Sequence, residues 1–134
     1  EEEVKTWISE DVKEFFALRN PVKAEVYFAE LPLNHHHSLV NKLVGRAMES
    51  KEAEATLVSD FLQRAASKQL CLILALEEGF LGVCEVLDDI AIDAPNATER
   101  LAVMMKGVGF GEEQRRSIAS KSCINGKKLL ALLS

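Results

Sequence analysis

Two consecutive runs of apolar residues set the class of this fold. Leu39, Val40, Leu43, Val44, Ala47 and Met48 recur in an i, i+1, i+4, i+5 pattern. After a few polar residues the same spacing returns at Leu57, Val58, Phe61, Leu62, Ala65 and Ala66. That period puts each set on one face of an α-helix. With Asn34 as a cap before the first run and Ser67-Lys68-Gln69 as a break after the second, the two read as an antiparallel helical hairpin. Only three prolines and seven glycines interrupt 134 residues, so helix extends well beyond this pair.

Upstream, Val4, Ile8, Val12, Phe15 and Phe16, with Trp7, form an amphipathic run. Asn20-Pro21 then supplies a cap and a proline suited to the first helical position. Val22, Val26 and Ala29 begin the face of this second helix, which stops near Leu31-Pro32. Downstream, residues 70–87 read as one long, mostly apolar central helix. Gly79 within it costs about 1 kcal/mol against alanine, which predicts a close helix–helix contact or a kink there. Ala97, Leu101, Met104, Met105 and Val108 form the next run, the glycines at 107, 109 and 111 break it, and helices follow around 112–120 and 125–133. No strand survives this reading. Successive "helix, short turn, helix" units suit a small α-solenoid or an irregular bundle.

Size and composition are those of one globular domain covering residues 1–134, read as a piece cut from a larger protein. No apolar run reaches the roughly 20 residues that span a bilayer. Three cysteines without a Cys-x-x-Cys pair argue against a disulfide framework and for a reducing, cytoplasmic setting. The net charge of −5 is unevenly divided: residues 1–105 carry −9 and residues 106–134 carry +4. The larger part repels phosphate backbones and favours a basic protein surface as partner.

Between the central helix and the next lies an acidic corner, where Asp88, Asp89 and Asp93 fall at an expected turn and Pro95 is placed to open a helix that Asp93 caps. Three other features invite a sharper chemistry and do not support it. Adjacent residues of His35-His36-His37 point about 100° apart on a helix, so they do not converge on one metal and read as a solvated helix start. The 107–111 glycines lack the strand and spacing of a phosphate loop. No nucleophile, base and orienting group are gathered, so neither an enzyme nor a cofactor is expected.

The run Leu87-Asp88-Asp89-Ile90-Ala91-Ile92-Asp93-Ala94-Pro95-Asn96-Ala97 resembles the Leu-x-Asp-Leu-x-Leu-Asp-x-Pro-x-Ala signature of the MA-3 (MI) domain. Glu78-Gly79-Phe80 matches the Gly-Phe that precedes it in that family. Val22-Lys23-Ala24-Glu25 through Glu30-Leu31-Pro32, and His37-Ser38-Leu39-Val40 through Ala47-Met48-Glu49, look like its upstream helices in the right order. The resemblance implies an all-α, HEAT-like α-solenoid of seven or eight helices in antiparallel pairs. It implies a non-enzymatic, monomeric scaffold in translation initiation that binds the DEAD-box RNA helicase eukaryotic initiation factor 4A, with other initiation factors as secondary partners. Asp89 and Asp93 are then the contacts to the helicase, with Pro95 and Asn96 alongside and Asp88 an extra acid. The corner looks more like the domain of translation initiation factor 4 gamma than that of the helicase inhibitor programmed cell death protein 4. That inhibitor type is one alternative. RNA binding through the basic 106–134 part is the other.

Overall fold

The computed structural model describes residues 2–134, and among them there is helix and no strand. The helices are α1 (Glu2–Leu18), α2 (Pro21–Ala24), α3 (Val26–Glu30), α4 (His36–Met48), α5 (Glu52–Ser67), α6 (Ile73–Glu85), α7 (Leu87–Asp93), α8 (Ala97–Val108), α9 (Glu112–Ala119) and α10 (Gly126–Leu133). A single 3-10 turn, Leu33–His35, precedes α4. Segments α2 and α3 are one run with a break at Glu25.

The packing partners order these helices into stacked pairs. Helix α1 lies on α4 and α2 on α5; α4 in turn packs on α6 and α5 on α8; then α6 meets α9 and α8 meets α10. Four layers result: α1 with α2–α3, α4 with α5, α6 with α8, and α9 with α10. This is the α-solenoid expected from the repeating helix–turn–helix unit. The α4 face of Leu39, Val40, Leu43, Val44, Ala47 and Met48 is wholly buried, as the middle position of α4 requires. In α5 the fully buried positions are Ala55, Val58, Phe61, Leu62 and Ala65, while Leu57 and Ala66 are only partly covered. Phe61 is the aromatic centre of the first two layers. Its ring stacks on Phe28 with centroids 5.7 Å apart and meets Phe15 at 5.2 Å.

Several sequence expectations change in detail. Asn20 caps as expected, its Oδ1 accepting from the Val22 and Lys23 N–H groups. The buried face of the helix it opens is Ala24, Tyr27, Phe28 and Leu31; Val22, Val26 and Ala29 face outward. Trp7 also lies on the outer side of α1, at 45% exposure. Asn34 falls inside the 3-10 turn and does not cap α4. His36 is not a solvated residue. It is 3% exposed, and its Nε2 stands 2.7 Å from the Phe28 carbonyl and 3.1 Å from the Leu31 carbonyl. Both partners are acceptors, so Nε2 carries the proton and ties off the end of α3. Cys71 lies in the α5–α6 link rather than in a helix, and burial pushes the thiols of Cys71 and Cys84 up to about 12.

The largest correction concerns residues 70–93. The apolar run does not continue as one helix. Helix α6 starts at Ile73, stops at Glu85 and hands over at Val86 to α7, so the acidic corner is itself a seven-residue helix. Asp93 ends that helix instead of capping the next, and Pro95 lies in the turn before Asn96, the residue at the N-cap position of α8.

Gly79 has the close contact that its place in an apolar helix implied. A Cβ there would lie 2.6 Å from Val40 Cγ1 and 3.0 Å from the His37 carbonyl oxygen. The Asn41 amide donates to the Gly79 carbonyl at 3.3 Å, fixing α4 against α6. Gly107 plays the same part between α8 and α5, where a Cβ would stand 2.7 Å from the Ser59 carbonyl oxygen. The 107–111 stretch is therefore partly a packing surface, and only Gly109, at φ +81°, needs glycine for its backbone.

One carboxylate ties the last layer to α7. Asp88 accepts from Ser122 Oγ at 2.6 Å, Asn125 Nδ2 at 2.8 Å, and the backbone N–H groups of Ile124 and Asn125 at 3.1 and 3.2 Å. It thus supplies, from α7, the negative charge at the N-terminus of α10. The Ser122 hydroxyl, then the Asn125 and backbone donors, hold this carboxyl at about 2, against the ordinary 3.8. Asp11 on α1 shows the reverse. Burial first, then the charges of Glu30, Glu14 and Glu10, raise it to about 6.

Three outcomes follow. Gly79→Ala will lower unfolding stability by about 1–3 kcal/mol, because overpacking against Val40 and the α4 backbone outweighs the helix-propensity gain; denaturant unfolding reads it. Asp88→Ala will cost about 1–3 kcal/mol at neutral pH by leaving the 122–125 donors without their acceptor. Since the native pKa lies below the unfolded one, that contribution is complete above 3.8 and fades as pH falls toward 2, so melting temperatures of wild type and variant will converge on acidification. Asp11→Asn will raise the melting temperature at neutral pH: a raised native pKa means wild-type stability declines as pH climbs from 3.8 through 6, and the asparagine removes that decline.

Candidate acidic interface

Helix α7 sorts its carboxylates by direction. Asp88 and Asp89 sit side by side in its first turn, about 100° apart around the axis. Leu87, fully buried, anchors the helix in the core. With Leu87 inward, Asp88 reaches the 122–125 turn while Asp89 faces solvent. Asp93 lies four residues after Asp89 and so on the same face.

Asp89 and Asp93, with Ile90 and Ala94, line a shallow cleft of about 270 Å³ whose remaining wall is Glu49. Glu49 is the C-cap of α4, brought there by the packing of the solenoid. Three carboxylates from two helices therefore border one small surface. None of the three has an ion-pair partner among the described residues. Pro95 and Asn96 are exposed in the adjoining turn, and Ile92 on α7 is 77% exposed. Arg100 of α8 donates to the Met48 carbonyl at 2.9 Å, next to Glu49 in the chain. Its position fixes the end of α4 relative to α8.

Of the five residues singled out from sequence, the structure gathers Asp89 and Asp93 at the cleft and leaves Pro95 and Asn96 on the turn that follows. Asp88 is drawn away by its internal hydrogen bonds. Glu49 was missed. No local motif marks it, because it joins the cleft only through the contact between distant segments. No group of three or more His, Cys, Asp or Glu residues among the described ones is placed to hold a metal ion.

The basic part of the chain is less free than its charge suggests. Arg115 donates to the Leu133 carbonyl, Arg116 pairs with Glu112 at 3.0 Å, and Lys128 pairs with Glu99 at 3.0 Å. Half of the six cations after residue 105 are thus spent on contacts within the molecule. No helix among the described residues is long and apolar enough to cross a membrane.

Comparison with known proteins agrees with this architecture. The MA3 domain profile matches residues 4–108, from the start of α1 to the end of α8. MA3 domain-containing translation regulatory factor 1 of Arabidopsis thaliana is 36% identical over 112 residues, 82% of this chain and 16% of that protein. MA3 domain-containing translation regulatory factor 3 of the same plant is 31% identical over the same shares. The chain thus spans about one sixth of the length of these relatives. No solved structure matches it significantly. The profile match across most of the helical stack, and the identity to these relatives, show that this chain belongs to the MA3 domain family.

Proposed function

We propose that this domain is a protein–protein interaction scaffold in translation that docks a DEAD-box RNA helicase, eukaryotic initiation factor 4A, through the α7 cleft. The observation that carries the reading is the set of three unpaired carboxylates, Glu49, Asp89 and Asp93, around one exposed cleft. Such a surface suits arginine side chains, whose planar guanidinium groups bind carboxylates in bidentate fashion. The fixed helical frame lowers the ordering cost of that contact. Pro95, Asn96 and Ile92 supply the uncharged rim. Both relatives carry the name translation regulatory factor, which supports a role in translation, and the helicase as partner rests on the sequence resemblance. Asp88 drops out of the contact set, since its carboxylate is engaged within the fold. The uneven charge of the chain favours the cleft over the basic 106–134 part as the working surface, because three of that part's cations are already paired or bonded internally.

Asp93→Lys is expected to weaken helicase binding by about 2–5 kcal/mol if the pair is desolvated, with Asp89→Lys and Glu49→Lys acting in the same direction. Calorimetric titration of purified helicase into each variant measures this, with unchanged far-ultraviolet circular dichroism as the control. Wild-type affinity in Asp93→Lys and Asp89→Lys alike would remove the cleft from the interface. A helicase unwinding assay then separates support from inhibition by the sign of the effect.

A further inference from the structure

A second surface lies beside the cleft and has the opposite charge. Helices α1, α4 and α6 enclose an open groove of about 1370 Å³, bordered by residues from Lys5 to Ile90. Lys5 and Lys13 on α1, and Lys42 and Arg46 on α4, line it; all four are exposed. None of the four forms an ion pair among the described residues. Against these four cations the lining holds two carboxylates, Glu49 and Glu78. Glu78 already stands 4.0 Å from His37 Nδ1. On a chain of net charge −5, a groove with an excess of unpaired cations runs against the overall field.

Two glycines, Gly45 and Gly82, are among the residues that line the groove. Nothing lies within 4 Å of where a Cβ on Gly45 would be. Gly82 sits directly against the Asn41 amide, at 2.7 Å from the corresponding position. Val86, at the α6–α7 junction, adds an apolar surface that is 46% exposed. The volume exceeds the roughly 300–1,000 Å³ of small-molecule pockets. No phenylalanine, tyrosine or tryptophan lines the groove, whose aromatic lining is His35 and His37. The acidic cleft shares Glu49 and Ile90 with it, and a phosphate backbone leaving that end would meet Asp89 and Asp93.

We propose that this groove docks an acidic linear segment of a partner protein, with carboxylates meeting the α1 and α4 cations and an interspersed apolar side chain meeting Val86. It adjoins the proposed helicase cleft, sharing Glu49 and Ile90 with it, and takes a partner of the opposite charge. The probe is a short fluorescein-labelled peptide of repeating Glu-Asp-Leu-Ser, followed by fluorescence anisotropy with the whole chain. Saturable binding that weakens with added salt is expected. Lys13→Glu combined with Lys42→Glu should reduce affinity about tenfold or more, and the glutamine pair at the same positions should give a smaller loss. Arg46 is left intact in these variants because its guanidinium lies 5.0 Å from the Phe16 ring centre and serves packing. Asp93→Lys should leave peptide binding as tight or tighter, which distinguishes this site from the cleft. Undiminished binding in both Lys13/Lys42 variants overturns the proposal. So does displacement of the peptide by an equal charge of oligouridine, or self-association in sedimentation that blocks the peptide.

Discussion

The carboxylate of Asp88 is the contact on which the orientation of α7 rests. It sits in the first turn of α7 and gathers donors from Ser122, Ile124 and Asn125. Those donors belong to the turn that begins α10, so one side chain couples the connector helix to the last layer of the stack. Satisfying several donors with one ionised acceptor is stronger than a neutral hydrogen bond of the same length. It also fixes the rotation of α7 about its axis. With Leu87 in the core and Asp88 on the 122–125 turn, Asp89 and Asp93 are left facing outward. The family match ends at residue 108, yet the residue that locks the helices beyond it lies inside the signature.

The rest of the stack is arranged by where helices can approach most closely. Gly79 lets α6 press onto Val40 of α4, and Gly107 lets α8 press onto Ser59 of α5. Both close approaches lie between the second and third layers, where the most extensive helix packing of the molecule occurs. The first and second layers meet instead through large rings, Phe15, Phe28 and Phe61. The α4–α5 layer thus meets small residues on one side and aromatic ones on the other.

What was legible in the sequence follows from how local each signal is. The α4 and α5 faces, the Asn20 cap and the tight position of Gly79 depend on spacing or on one residue type, and they stand in the structure. The break at Val86 was not legible, because apolar residues at Phe80, Val83, Cys84 and Leu87 keep helical spacing straight through it. Leu87 is buried as that period demands, although the backbone has already turned into a new helix. The face of α2–α3 was misplaced because Val22, Val26 and Ala29 keep the same period as the buried Ala24, Phe28 and Leu31, two residues out of phase. The larger Tyr27 and Phe28 won the core. His36 finds the Phe28 and Leu31 carbonyls only once α3 has ended and turned, and Glu49 reaches the cleft only in the assembled stack, so no local pattern carries that information.

Helix α7 also departs from what its own stability would favour. Two aspartates in its first turn suit the positive end of the helix dipole, but Asp93 lies at the last residue, where negative charge is unfavourable. Asp89 and Asp93 stand at i and i+4, a like-charge spacing that costs a few tenths of a kcal/mol. Glu49 adds a third negative charge from α4. Lysine or arginine at one of these positions would relieve the conflict. The rest of the fold tolerates the conflict: Leu87, Asp88 and the packing of α7 on α6 and α8 hold the helix in place from behind. Local rules broken with no compensating internal contact are what the proposed docking role leads one to expect. A cationic partner is the one addition that would turn all three unfavourable charges into favourable ones.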